Sequence, residues 1–154
     1  MKVLGSGQFG QVYRGTHIHD KMDYAIKVME VNGANKNKFE VYANASLAIS
    51  DDVNVLKHIV RYFSSWQHKK EQCIVMELCK QSLREYVSKI QAKSLSGVKE
   101  SDIKLALRHA CLGLKGLHDQ NIVHLDIKPE NILRGVNRNF KLGDLGMARA
   151  QPKA

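Results

Sequence analysis

Little in this 154-residue chain points to an oxidised, metal-caged or membrane-embedded protein. Its three cysteines, Cys73, Cys79 and Cys111, are odd in number and form no Cys-x-x-Cys pair, so a disulfide framework is not expected and a reducing compartment fits. The seven histidines stand at no zinc-site spacing from those cysteines. No apolar run approaches the ~20 residues that span a bilayer, and no charged-then-apolar leader opens the sequence. Internal repeats and low-complexity linkers are missing too. Acidic residues are the minority, 15 against 24 Lys and Arg for a net charge of +9, yet the basic residues form neither an arginine-rich block nor a stripe between aromatics. Nucleic acid and membrane are therefore not the expected partners, while a small phosphate-bearing ligand stays open. The expectation is a soluble intracellular protein, with 44% hydrophobic residues to build its core.

What is present divides in two. "KVLGSGQFGQVYRG" and "DYAIKVME" read as two strands around a glycine-rich turn, followed by a third strand. The spacing of Phe39, Tyr42, Ala43 and Leu47 predicts a helix from Asn37 to about Ile49, and "HIVRYFSSW" and "QCIVMEL" predict two further strands joined at "QHKK". Beyond Leu78 the apolar residues recur three and four apart, as in "SLREYVSKI" and "ESDIKLALRHACLGLKGLHDQN". There Ile103, Ala106, Leu107, Ala110, Leu114 and Leu117 predict one buried stripe, with Ser101 as the N-cap. Gly113 and Gly116 interrupt that helix at roughly 1 kcal/mol each against alanine, so tertiary packing has to compensate. "NILRGVNRNFKLGDLG" adds two short strands about a turn at residues 135–139. The fold class is α+β, with a sheet-rich domain over residues 1–79 and a helix-rich one over residues 80–154.

Several residues carry chemistry. Gly5, Gly7 and Gly10 stand in a G-x-G-x-x-G-x-V arrangement, where missing side chains let backbone N–H groups approach phosphate oxygens. A dinucleotide-binding turn would lead into a helix. Here the strand-like "QVYRG" follows, which favours a flap over a nucleotide, with a ligand-free hairpin as the alternative. Lys27 lies among Ala25, Ile26 and Val28, and Glu40 on the expected helix could pair with it and hold it against phosphates. An exposed strand lysine and a solvated glutamate are the alternatives. In "VHLDIKPENIL", Asp126 is placed to accept or orient the proton of an attacking hydroxyl, and Lys128 to supply positive charge to a transferring phosphoryl group. Asn131 and Asp144 offer the hard oxygen ligands that magnesium prefers. His124 reads as a packed, hydrogen-bonding support, and Pro129 as the residue fixing the turn between Lys128 and Asn131.

Taken in order, "GSGQFGQV", "AIK", a helix glutamate, "HLDIKPEN" and "DLG" resemble the motif set of the eukaryotic protein kinases, from Leu4 to Arg149. The resemblance implies a protein-kinase-like fold with a complete or nearly complete N-terminal β-rich lobe and the first part of a helical C-terminal lobe. It implies ATP and magnesium as cofactors. ATP would lie under Leu4 and Val12, against Ala25 and Leu133, with its adenine edge on backbone near Glu77 and Cys79 and with Met76 behind it. Lys27, held by Glu40, would take the α- and β-phosphates, Asn131 and Asp144 the magnesium ions, and Asp126 the hydroxyl of a protein substrate, with Lys128 beside it.

Two positions depart from the common pattern: Leu125 stands where many kinases carry arginine, and Leu145 where they carry phenylalanine. Without an arginine at 125, control by a phosphorylated activation segment loses its usual basic partner. The tracts "FEVYANASLA", "HIVRYFSSW", "LDIKPENI" and "GDLGMAR" are similar to the Wee-type kinases, which place inhibitory phosphate on a tyrosine of cyclin-dependent kinases. That group shares the missing arginine, the Asp-Leu-Gly motif and a polar residue at the position of Asn44. The resemblance thus implies a cyclin-dependent kinase as protein partner and a nuclear location. A different serine/threonine kinase, in the cytoplasm, is the alternative, since Lys128 in "DIKPEN" also marks that class. The sequence stops at Ala154, ahead of any Ala-Pro-Glu motif, so the expectation is a piece of a longer kinase, the alternative being a fragment that binds nucleotide without transferring phosphate. No oligomeric state follows from the sequence.

Overall fold

The computed structural model describes residues 2–7, 10–31, 36–93 and 97–151. Cα packing separates the chain into two units, Met1–Ile49 with Arg61–Leu78, and Ser50–Val60 with Cys79–Ala154. In the first unit β1 (Lys2–Gly7), β2 (Gly10–Thr16), β3 (Asp23–Glu30), β4 (Tyr62–His68) and β5 (Glu71–Glu77) form one antiparallel sheet in the order β1-β2-β3-β5-β4. The expected glycine-bearing hairpin is present, although Gln8 and Phe9 lie outside the described residues. Gly10 has φ +118°, and a Cβ there would come within 2.1 Å of the Val28 carbonyl oxygen, so only glycine fits where β2 begins. Helix α1 (Lys36–Ala48) buries Ala43 and Leu47, while Tyr42, expected on the same stripe, is exposed.

The second unit contains α2 (Val53–His58), β6 (Gln81–Ser82), α3 (Leu83–Gln91), α4 (Glu100–Asp119), β7 (Ile122–Val123), β8 (Ile132–Arg134), β9 (Phe140–Leu142) and β10 (Arg149–Ala150). Strands β6, β8 and β9 form one small sheet, and β7 pairs with β10. A reciprocal capping box between Ser82 and Glu85 starts α3, satisfying two backbone donors at once. Among the described residues no helix is long and apolar enough to cross a membrane.

Helix α4 differs from its expected form in two ways. Its N-cap is Lys99, without a side-chain cap bond, and Ser101 lies inside the helix. Its buried face is Ala106, Ala110, Gly113, Gly116 and Leu117, whereas Leu107 is 55% exposed. The two glycines belong to this face because α2 packs against them: a Cβ on Gly113 would lie 2.6 Å from the His58 carbonyl oxygen, and one on Gly116 would lie 2.9 Å from Val55 Cγ2. The propensity cost of both glycines is thus offset by close approach of backbones.

Helix α2 lies ahead of the expected strand and takes only the first residue of it, His58. Asp52 caps it, its side chain accepting the Asn54 N–H at 2.6 Å. Six residues are too few for a helical period to stand out. Ile59 then bridges Leu142 of β9, and β4 begins only at Tyr62. This attachment groups Ser50–Val60 with the second unit, where a contiguous division at residue 79 had placed it in the first.

Candidate active site

In the first unit, directly paired residues of neighbouring antiparallel strands share a face, and every second residue returns to it. Gly5 pairs with Val12, Val12 with Lys27, Ala25 with Met76 and Lys27 with Ile74. Gly5, Val12, Ala25, Lys27 and Met76 therefore lie on one face of the sheet. Leu4 falls at the irregularity of β1 between Val3 and Gly5 and is exposed. A Cβ on Gly5 or Gly7 would meet nothing within 4 Å, which leaves this backbone open to close approach. Glu77 pairs with Tyr24 and so points from the opposite face, and its N–H donates to the Arg61 carbonyl at 2.8 Å. That N–H is engaged by Arg61, just ahead of β4.

Lys27 is the chemically distinctive residue of that face. It is only 4% exposed and Glu40 2%, with Nζ and Oε1 2.7 Å apart. Neither the exposed lysine nor the solvated glutamate is found. Asn44, one turn after Glu40, donates its amide to the Glu40 carbonyl at 2.9 Å and is itself buried.

In the second unit the segment between β7 and β8 forms a closed hydrogen-bond network. Asn131 Nδ2 donates to the Asp126 backbone carbonyl at 2.8 Å and to Asp126 Oδ2 at 2.9 Å, and Lys128 Nζ reaches the same Oδ2 at 2.7 Å. The hydrogen bond from Lys128, and secondarily that from Asn131, holds the Asp126 carboxyl below its ordinary pKa. Lys128 is raised by the same bond. Asp126 is thus an ionised acceptor across the physiological range. His124, 1% exposed, accepts the Asp126 N–H at Nδ1 (3.3 Å), so its proton sits on Nε2, which donates to the Gly143 carbonyl at 3.0 Å. Burial depresses its pKa, and it is neutral, a support for the loop.

Gly143 N–H in turn donates to the Asn131 carbonyl at 2.9 Å, which sets Asp144 one residue beyond a backbone position bonded to Asn131. Asp144 has φ +56°, and its Oδ1 accepts the Gly146 N–H at 3.2 Å. The amide oxygen of Asn131 takes no part in the bonds its nitrogen makes. These two oxygen donors suit magnesium, which binds through one or two carboxylates and completes its shell with water and phosphate. Among the described residues no cluster of three His, Cys, Asp or Glu forms an all-protein metal cage. Leu133 lies half-buried in β8, and Cys79 just ahead of β6.

Some contributors were not anticipated. Arg84 of α3 donates to Glu130 at 2.9 Å and its N–H to the Pro129 carbonyl at 3.2 Å, clamping the loop from outside. The 46-residue separation of Arg84 and Glu130 leaves no linear signal for that pair. Gly143 also matters through its carbonyl and N–H, which any residue possesses; a Cβ there would approach Leu133 Cδ1 to 3.0 Å.

Backbone open to phosphate, a buried lysine and hard oxygen donors are the equipment of a nucleotide-binding phosphotransfer fold. The model of the protein kinase domain matches residues 1–154, and the chain belongs to that family. It is 34% identical over 151 residues to serine/threonine-protein kinase pakH of Dictyostelium discoideum, covering 95% of this chain and 27% of pakH. To the human Wee1-like protein kinase 2 it is 35% identical over 137 residues, covering 86% of this chain and 23% of that protein. A crystal structure of the kinase domain of PF14_0431 superposes with a TM-score of 0.82 at 26% identity, over all of this chain and 52% of that one. The chain therefore spans about a quarter of those two curated relatives and half of the solved domain.

Proposed function

We propose that the chain is part of an ATP-dependent protein kinase and that its protein acceptor is a tyrosine of a cyclin-dependent kinase. The observation that carries the reading is the Asp126 carboxylate, ionised and oriented by Lys128 and Asn131. Magnesium–ATP would supply the phosphoryl group, with the metal offsetting its charge. Asn131 and Asp144 would hold the metal, and Lys27, kept in place by Glu40, the α- and β-phosphates. Gly5 and Gly7 offer backbone N–H groups to phosphate oxygens, and Val12, Ala25, Met76 and Leu133 the apolar surface for adenine. Asp126 orients the acceptor hydroxyl and takes its proton, while Lys128 keeps that carboxylate ionised and adds positive charge beside it. Catalysis is positioning and electrostatic stabilisation.

The tyrosine and cyclin-dependent-kinase part of the reading is supported by the likeness to Wee1-like protein kinase 2, by Asp-Leu-Gly in the metal motif and by Leu125 in the catalytic loop. It carries a nuclear location with it. The similar identity to pakH, 34% against 35%, supports a second reading, a cytoplasmic serine/threonine kinase. The test is to incubate the chain, and the full product of its gene, with magnesium–ATP and a cyclin-dependent kinase and to assign the phosphorylated residue by mass spectrometry. Phosphotyrosine is expected, and Asp126→Asn should lower its formation by about 10²–10⁴-fold, the usual worth of a general base. Phosphoserine or phosphothreonine alone would transfer the assignment to the second reading. Nucleotide binding without transfer by either protein would overturn both and leave a nucleotide-binding module.

A further inference from the structure

The second unit holds a cavity of about 480 Å³ to which Asp126, Lys128, Asn131 and Asp144 contribute nothing. Its apolar surface comes from Tyr86 and Ile90 of α3, Leu105 of α4 and Phe140 of β9. Three cations surround that surface: Lys99 at the start of α4, Arg134 in β8 and Arg138 in the turn before β9. The single carboxylate of the lining, Asp102, already accepts the Tyr86 hydroxyl. Among the described residues none of the three cations makes an ion pair. Arg134 stacks over the Tyr86 ring, its Cζ 4.9 Å from the centroid, which fixes its guanidinium at the edge of the apolar surface.

We infer that this cavity is a docking groove for an acidic, leucine-bearing segment of a partner protein. An apolar floor ringed by charge is the layout of a protein recognition site, and unpaired cations of one sign select the opposite sign by repelling the alternative. A peptide suits the layout better than a small anion. The cations come from three separate elements, and Lys99 and Arg138 are exposed, so a compact ligand would gain little from either, whereas an extended segment reaches all three while its side chains fill the floor. The inference does not rest on phosphoryl transfer, and its test contains no nucleotide.

A fluorescein-labelled dodecapeptide alternating aspartate with leucine is titrated with the chain at low salt, and fluorescence polarisation is read. Saturable binding is expected, lost when asparagine replaces aspartate or serine replaces leucine. The double variant Lys99→Glu, Arg138→Glu, both positions being exposed, should bind about ten-fold or more weakly, the sum of two surface pairs turned to repulsion. The same variant should gain affinity for a lysine–leucine peptide, a readout that a misfolded protein would not give. Equal binding of the aspartate and asparagine peptides, or of the aspartate peptide by parent and variant, would overturn the inference. Displacement of the peptide by an equal concentration of benzoate would also overturn it, assigning the cavity to small carboxylates.

Discussion

The Lys27–Glu40 pair shows how much one side chain depends on another. Both groups are at least 96% out of water, where a lone charge is costly and a paired one is close to neutral for stability. Glu40→Gln removes the carboxylate 2.7 Å from Lys27 and leaves an ammonium group buried without it. The expected loss is about 3–5 kcal/mol, read from the midpoint of urea unfolding. Lys27→Met combined with Glu40→Leu should restore most of that stability while abolishing nucleotide binding, since apolar replacements of similar volume are neutral or stabilising at such sites. If the double variant unfolds as readily as the single one, the pair is stabilising in itself and the desolvation argument fails. The pairing was legible in the sequence because a strand lysine and a helix glutamate are familiar partners in one motif set. The backbone conformations of Leu125 and Asp144, φ +62° and +56°, were not. Neither residue is of a type that favours the left-handed region strongly enough to announce it, and for leucine the region costs about 1–2 kcal/mol.

At the scale of elements, long periodic segments were readable and short ones were not. The strands β1, β2, β3 and β5 and the helices α1, α3 and α4 follow from patterns of seven residues or more, or from a glycine-marked turn. Helix α2 is set by one cap and by its fit against Gly113 and Gly116, and that fit exists only in three dimensions. The exposure of Leu107 has the same origin: glycine, which carries no hydrophobic signal, occupies the packed face, so the stripe drawn through the leucines is rotated away from the true one. Gly113→Ala tests which effect wins. Helix propensity alone would stabilise by about 1 kcal/mol, but the added methyl would stand 2.6 Å from a backbone carbonyl that cannot rotate away. Overpacking of this kind costs about 1–3 kcal/mol, so net destabilisation and loosening of α2 are expected. Hydrogen exchange at Leu56 and Ile59, whose amides bond to Asp52 and Val55, reports the second effect. Leu107→Ala, on the exposed face, should change stability by no more than about 0.5 kcal/mol.

For the molecule as a whole, the decisive electrostatic feature lies within the second unit, where the buried His58 and His124 and the half-buried His109 have depressed pKa values. Burial is the leading cause at His58, His109 and His124, reinforced by Lys141 and Lys57 around His58 and by His58 and Arg108 around His109. His58 and His109 stack with ring centroids 4.4 Å apart and hold Phe140 between them: the His58 Nδ1 lies 3.3 Å from its carbonyl, and its N–H donates to His109 Nδ1 at 3.1 Å. A proton on His109 would remove that acceptor and set two cations side by side. Linkage then gives the sign. Below about pH 6.5 the unfolded chain takes up protons on these histidines before the folded one does, so unfolding is favoured as pH falls. Their neutral forms are fully compatible with the fold above that pH, and stability declines progressively beneath it. The carboxylates held low by their partners, Asp20, Asp23, Asp126 and Glu130, add a second loss only as pH falls through and below the ordinary carboxylate range of about 4. Unfolding followed from pH 8 to 4 should therefore show its first decline beginning near 6.5, and replacing the stacked pair by His58→Gln with His109→Gln should shrink that decline while leaving the acidic one in place. A stability profile flat between pH 7 and 5 would show that the three imidazoles reach solvent and titrate as they do in the unfolded chain.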